Sequence, residues 1–369
     1  MVNKMAQACG LSLAVQYEKF KMNTDFRFCS RREVELCRLD NPVLRQFMPT
    51  VYHTLMDERK DLYVVAMEYL SQENVCLLNT IDDVSVWTTN DIKVVLRDLA
   101  HLHSLYLGQH EWLSSQPWLE RVRLQEMVQM TPLWRELASH SHREFPNFWS
   151  SHRVAIVNRA IENLPLVWAL FESTPHTLVH NDCSPRNICL RHPTKHSSST
   201  SSSLSSSTTW SLSSSSSSSS PSSSSTLPGP INQGSFTGSI PFQDPRTLCL
   251  YDWELATVGV AQYDVAELLC FTLEPSTPPH VWLSLLEFHR QHLEYYSGVK
   301  FPPKKYVDVF HGCLFHFAMK RLALHTMAHT HKDYRYLPRV VNTLFSFLEE
   351  QMKQSDFSPS FSCTTQSKL

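Results

Sequence analysis

Two short stretches constrain this chain more than anything else in it. The first is Val179-His180-Asn181-Asp182-Cys183-Ser184-Pro185-Arg186-Asn187-Ile188-Cys189-Leu190, and the second is Cys249-Leu250-Tyr251-Asp252-Trp253-Glu254. Each joins a run that reads as a buried strand to a dense polar cluster. An Asp followed five residues on by an Asn, with a second Asp closing another apolar strand, is the set that metal-assisted phosphoryl transfer needs. One carboxylate orients the attacking hydroxyl or takes its proton. The amide oxygen and the second carboxylate take the metal that bridges the phosphates.

His180-Asn181-Asp182-Cys183, with Pro185-Arg186-Asn187 behind it, resembles the catalytic loop of the aminoglycoside phosphotransferase and choline/ethanolamine kinase superfamily. The usual form of that loop is His-Gly-Asp-x-x-x-x-Asn, and His-Asn-Asp-Cys is closest to the choline kinase version. Asp252-Trp253-Glu254, followed by Gly259 and Asp264-Val265-Ala266, is similar to the Asp-(Phe/Trp)-Glu…Gly…Asp-Leu-Ala segment of the same superfamily. The resemblance implies an α+β, two-lobe protein-kinase-like fold, with a small β-rich N-lobe and a large helical C-lobe. It implies ATP and Mg²⁺ as cofactors and a hydroxyl group of a small molecule as acceptor. Asp182 would be the base, His180 the brace of the loop, and Asn187 and Asp252 the Mg²⁺ ligands. Hard oxygen donors suit Mg²⁺, which keeps most of its waters and needs only one or two protein carboxylates. Arg186 would either touch the transferring phosphate or pair with a nearby acid. Asp264 is expected to cap its helix and hold the loop rather than to meet substrate. For Glu254, contact with metal or substrate and a structural role both stay open.

Length and composition set the outer bounds. The chain has 369 residues, with 33 Lys and Arg against 35 Asp and Glu, so charge points to no nucleic acid or other polyanionic partner. The longest apolar runs, near 62–67 and 164–171, are too short to span a bilayer. The apolar stretch 5–15 is broken by Gln7 and Ser12, which argues against a signal peptide. Ten cysteines occur without a Cys-x-x-Cys pair, and Cys76, Cys189, Cys249 and Cys270 sit in apolar strand-like contexts. They read as reduced, buried thiols of a cytoplasmic protein. His325, His329 and His331 cluster without an acidic or cysteine ligand at metal spacing. Trp87, Trp112, Trp118, Trp134, Trp149 and Trp168 could box a quaternary ammonium. Core packing is the commoner use of tryptophan, so choline does not follow from them.

Residues 1–70 read as a partial N-lobe. Leu11, Leu13, Val15 and Tyr17 alternate as in a strand over 11–21. Ser30 and Glu33 have capping-box spacing at the start of a helix over 31–39, which stops before Pro42. Residues 51–55 and 62–67 read as antiparallel strands joined by a charged turn. Only Gly10 precedes Gly108, so no Gly-rich turn that could cover phosphates is readable; the lobe is shortened in this chain or built differently. Glu33 stands where the resembled lobe pairs an acid with the ATP-binding lysine, for which Lys19 and Lys21 are candidates. Another alignment puts Gln16 at the lysine position. That alternative leaves open a catalytically weak or inactive relative, a pseudokinase, that binds a nucleotide or a partner. The resemblance places Met67, Glu68, Tyr69 and Leu70 at the adenine, with Cys189 on the strand after the catalytic loop.

Residues 71–353 read as the C-lobe. A helix over 90–107 is expected to bury Ile92, Val95, Leu96, Leu99, Leu102 and Leu105 and to end at Gly108; further helices are expected over 118–138 and 151–171. Helices over 265–271, 281–296, 306–327 and 337–352 follow the second motif, and the tail from 354 is polar and loose. Between the two motif strands, 193–245 collapses into serine and should be disordered. Such an insertion falls at a hairpin tip. Lengthening that loop tenfold costs only about 2 kcal/mol of closure entropy, so the strands can still pair. A hydrolase built on His180 and Asp182 lacks a nucleophile elbow; Cys183 is the one candidate, and the neighbouring carboxylate disfavours its thiolate.

Overall fold

The computed structural model describes residues 2–24, 28–119, 121–193 and 242–354. Among them are the strands β1 (Val51–Asp57), β2 (Leu62–Met67), β3 (Val75–Cys76), β4 (His176–Val179), β5 (Ile188–Arg191), β6 (Thr247–Leu250) and β7 (Thr257–Val260). They form three antiparallel sheets, β1-β2, β3-β5-β6 and β4-β7. The rest is mainly helix. Small sheets beside a large helical part give the α+β class expected of a two-lobe kinase-like fold.

The β1-β2 hairpin turns where its charges predict. Asp57 accepts the Arg59 N–H at 3.1 Å, and Asp61 closes the turn with a φ of 50°. The insertion hairpin also pairs as expected, with Ile188 opposite Leu250 and Cys189 opposite Cys249. Residues 194–241, most of the serine-rich stretch, lie outside the described residues, as do 355–369 of the tail. The far boundary of the insertion moves inward, because 242–245 are tied down. Phe242 packs edge-on against Phe288, and Asp244 accepts from Asn90 at 2.8 Å. Arg246 then pairs with Asp91 at 2.5 Å.

In the helical part, Thr88 and Asp91 form a capping box at the start of the helix Thr89–Ser104. That helix packs along Pro279–Ser297. Its C-terminal end is fixed by Gly108, whose left-handed φ of 72° lets its N–H reach the His176 carbonyl at 2.8 Å. The helices read over 118–138 and 151–171 each divide. Pro132 and Pro165 start new helices, Thr131–Glu144 and Leu164–Glu172, because proline suits a first turn and breaks an interior. Trp87, Trp118, Trp134, Trp149 and Trp168 are buried in the core, while Trp112 stacks on Tyr106. The nine described cysteines are free thiols, most of them buried. No single helix is long and apolar enough to cross a membrane among the described residues.

Two expectations for the N-terminal region are overturned. The strand read over 11–21 is a helix, Leu11–Phe20. Leu13, Tyr17 and Phe20 are buried at helical spacing, while Leu11 and Val15, which the alternation needed on the same face, are 82% and 53% exposed. This helix packs against Thr131–Glu144, and Arg143 donates to the Cys9 carbonyl at 3.2 Å. Residues 2–20 therefore lie on the helical part. The second correction concerns the helix read from Arg31, which starts at Cys29 behind Phe28, itself at a φ of 57°. Ser30 sits inside the first turn, so it does not act as the N-cap.

Candidate functional site

The site is built on the β4-β7 ladder and the loop that leaves β4. Gly259 on β7 is where the Tyr263 ring folds back, and a Cβ there would fall 2.6 Å from that ring. The turn brings Asp264 under the loop. Its two carboxylate oxygens each accept a backbone N–H at 2.8 Å, one from His180 and one from Asn181. Asn181, where the usual form of the resembled loop has Gly, takes a φ of 58°, a region Asn tolerates better than most residues. Its amide donates to the Leu255 carbonyl at 3.0 Å. The expectation that Asp264 holds the loop thus matches its contacts.

Behind Asp264 runs a buried chain. His103 Nε2 lies 3.0 Å from Asp264 Oδ2, His103 Nδ1 lies 3.3 Å from His289 Nε2, and His289 Nδ1 lies 2.6 Å from the Tyr306 hydroxyl. Burial holds His289 neutral, well below its ordinary range. The partners then assign the protons: Tyr306 O–H donates to His289, His289 to His103, and His103 to the carboxylate. Burial opposes the ionisation of Asp264, but the His103 bond and the loop N–H groups hold its carboxyl below the usual value.

On the outer side of the loop, Asp182 is buried with both oxygens engaged. Asn187 Nδ2 donates to Oδ2 at 2.9 Å, and Arg321 donates to Oδ1 at 2.8 Å. Burial again opposes ionisation; Arg321 first, then Arg186 and His180, more than offset it and keep the acid below its ordinary range. Cys183 sits beside three acids, and burial with Asp264, Glu267 and Asp182 pushes its thiol far up. It offers no nucleophile.

Asp252 opens the second motif with a φ of 63°. Its carboxylate makes no hydrogen bond or ion pair among the described residues and reaches solvent on one side. The protein around it and the nearby Asp182 carboxylate still push it upward. Burial and Asp252 do the same to Glu254, and burial, Asp252 and Glu254 raise Glu33 to about 6. Asn187 spends its NH₂ on the Asp182 carbonyl and carboxylate, which leaves its amide oxygen as an acceptor. Two hard oxygen donors without protein partners, in a crowd of mutually raised carboxylates, fit a small divalent cation that binds few protein ligands. Among the described residues no three His, Cys, Asp or Glu side chains form a closed metal cage. Arg186 has no ion pair among the described residues, and its buried Nε has no hydrogen-bond partner. His180 Nε2–H donates to the Tyr251 carbonyl at 3.1 Å, and the ring packs on Trp253, bracing the two motifs against each other.

The expected nucleotide residues divide into three groups. Leu70 packs with Cys189 in a small cluster with Val75 and Cys249, apart from the main core. Glu68 is held by Arg191 and accepts the Thr50 N–H at 2.6 Å, while Tyr69 is 85% exposed and Met67 ends β2. Lys19 and Lys21 lie elsewhere, one over the Phe20 ring and the other paired with Glu18 at 2.5 Å. Neither forms an ion pair with Glu33 among the described residues. Gln16 and Lys19 share the helix Leu11–Phe20 and Lys21 opens the turn Lys21–Asn23 behind it, so no strand carries a lysine to Glu33 from that segment.

The upward shift of Glu33 has a consequence for stability. Its folded pKa of about 6 exceeds the ordinary 4.5, so the folded chain holds that proton more tightly. The stabilisation is full below the unfolded value and is lost as pH rises through the folded one. Glu33→Gln should therefore raise stability by about 1–2 kcal/mol at pH 7.5 and change it little at pH 4. Chemical denaturation at both pH values measures this. A loss of stability at pH 7.5 would mean that a lysine does reach Glu33.

Three residues of the site escaped the sequence. Arg321 pairs with an acid 139 positions away and stands in a segment read as plain helix. His103 lies on the buried face of its helix beside Leu99 and Leu102, a visible anomaly whose partner was not. Glu267, whose Oε2 accepts the Cys183 N–H at 2.9 Å, looked like part of an ordinary helix.

No family profile matches the chain, and no curated protein matches it by sequence. Among solved structures the chain is similar to the choline kinase of Cryptosporidium parvum Iowa II. The likeness covers 84% of this chain and 75% of that one, with 9% identity and a TM-score of 0.41.

Proposed function

We propose that the protein is an ATP- and Mg²⁺-dependent phosphotransferase acting on a hydroxyl group of a small molecule. The observation that carries this reading is the triad of Asp182, Asn187 and Asp252 around one loop braced by Asp264. Asp182, ionised at neutral pH, accepts the hydrogen bond of the acceptor hydroxyl and takes its proton as the new P–O bond forms. Asn187 Oδ1 and the Asp252 carboxylate would hold Mg²⁺, which supplies charge neutralisation to the phosphates. Arg186 supplies a further cation beside the two acids, and His180 keeps the two motifs in register. Met67, Glu68, Tyr69, Leu70 and Cys189 remain the candidates for the adenine, on the strength of the Leu70–Cys189 contact. The reduced thiols support a cytoplasmic setting.

A second reading has an observation of its own. Among the described residues Glu33 forms no ion pair with a lysine, as in an inactive relative that binds a nucleotide without transferring phosphate. Titration calorimetry with ATP, with and without Mg²⁺, tests the proposal. The wild type should bind ATP only with Mg²⁺, Asp252→Ala should abolish that binding, and Asn187→Ala should weaken it. Wild-type protein indifferent to both ATP and Mg²⁺ would overturn the proposed function.

A further inference from the structure

The helices Pro303–Phe317 and Ala323–His329 are one rod interrupted by a single wide turn, Ala318–Leu322, with π-type hydrogen bonding. Such turns are rare, cost regularity, and recur at functional sites. This one carries Lys320 and Arg321, 2% and 5% exposed. Long cationic side chains are seldom buried so far without a specific use. The Arg321 guanidinium spans two parts of the catalytic loop. One arm donates to Asp182 Oδ1 at 2.8 Å, and the other to the Asn181 carbonyl at 3.0 Å. Glu267 Oε1 lies 3.7 Å from the first arm.

We propose that Arg321 is the positioning residue for Asp182 in the reaction proposed above, fixing the plane of its carboxylate and the backbone that carries it. The inference rests on that function and adds a residue to it. With Asn187 Nδ2 on the other oxygen, both ends of the carboxylate are pinned, and rotation about its last bond would break a charge-assisted bond at each end. A lysine in place of Arg321 would keep the charge and lose the rigid planar fork whose two arms reach the side chain and the backbone carbonyl at once. Arg321 stands on the π turn itself, so the segment that breaks the helical regularity is the one whose guanidinium meets the loop.

A merely structural ion pair would change stability and leave the turnover of a folded variant alone, so the test splits kcat from KM. Arg321→Lys should lose about 10²-fold in turnover with KM little changed, as for a misplacement on the ångström scale. Arg321→Gln should lose more; should it fail to fold, Arg321→Lys carries the test. Turnover unchanged in folded Arg321→Lys overturns the inference. Failure of the function itself appears separately, as wild-type protein that binds no Mg²⁺·ATP.

Discussion

Asp182→Asn should lower phosphate-transfer turnover by about 10²–10⁴-fold while leaving Mg²⁺·ATP affinity nearly intact. The amide is close to the carboxylate in size and can still meet Asn187, so the loop keeps its shape. What disappears is the negative charge that accepts the hydroxyl proton. The substitution also leaves Arg321 buried beside a neutral amide, so some stability will be lost with the charge. Calorimetry separates the effects: a folded variant that binds nucleotide but does not turn over has lost proton handling. Unchanged turnover would remove Asp182 from the mechanism.

Asp264→Ala should lower stability by about 3–5 kcal/mol, although the residue touches nothing that reacts. Its carboxylate satisfies the N–H groups of His180 and Asn181 and terminates the His103–His289–Tyr306 chain. Removal orphans the buried His180 donor, costing about 1–3 kcal/mol, and the half-buried Asn181 donor, and leaves His103 without its acceptor. Asp264→Asn is the milder change, since an amide has one acceptor where two N–H groups now bind two oxygens. Denaturant titration at neutral pH reads both variants. A loss below about 1 kcal/mol in Asp264→Ala would mean that the loop is held by other contacts.

What the sequence made legible follows from where each constraint acts. Loop and strands could be read together because the polar residues that matter lie within eight positions, 180 to 187, between apolar runs. The resemblance assigned Asp264 to holding the loop, and its contacts agree; the helix cap also expected of it is absent, since Gln262–Thr272 starts without a side-chain cap. The insertion hairpin was readable because strand pairing does not depend on what lies at its tip. The helix Leu11–Phe20 was misread because Leu13 and Tyr17 satisfy periods of two and of four at once. Only the exposure of Leu11 and Val15 decides between them, and that is a tertiary fact. Arg321 was invisible for a related reason. A charged residue inside an apolar helical pattern looks like a solvated face until the fold puts Asp182 against it.

The central claim is that this site transfers phosphate, and its most direct measurement is label transfer from γ-³²P-ATP with Mg²⁺ into a mixed pool of hydroxyl-bearing metabolites. The account predicts a labelled small molecule with the wild type, and none with Asp182→Asn or with Mg²⁺ chelated. Wild-type protein that binds Mg²⁺·ATP yet labels nothing across such a pool would contradict it and leave the nucleotide-binding relative as the reading of this fold.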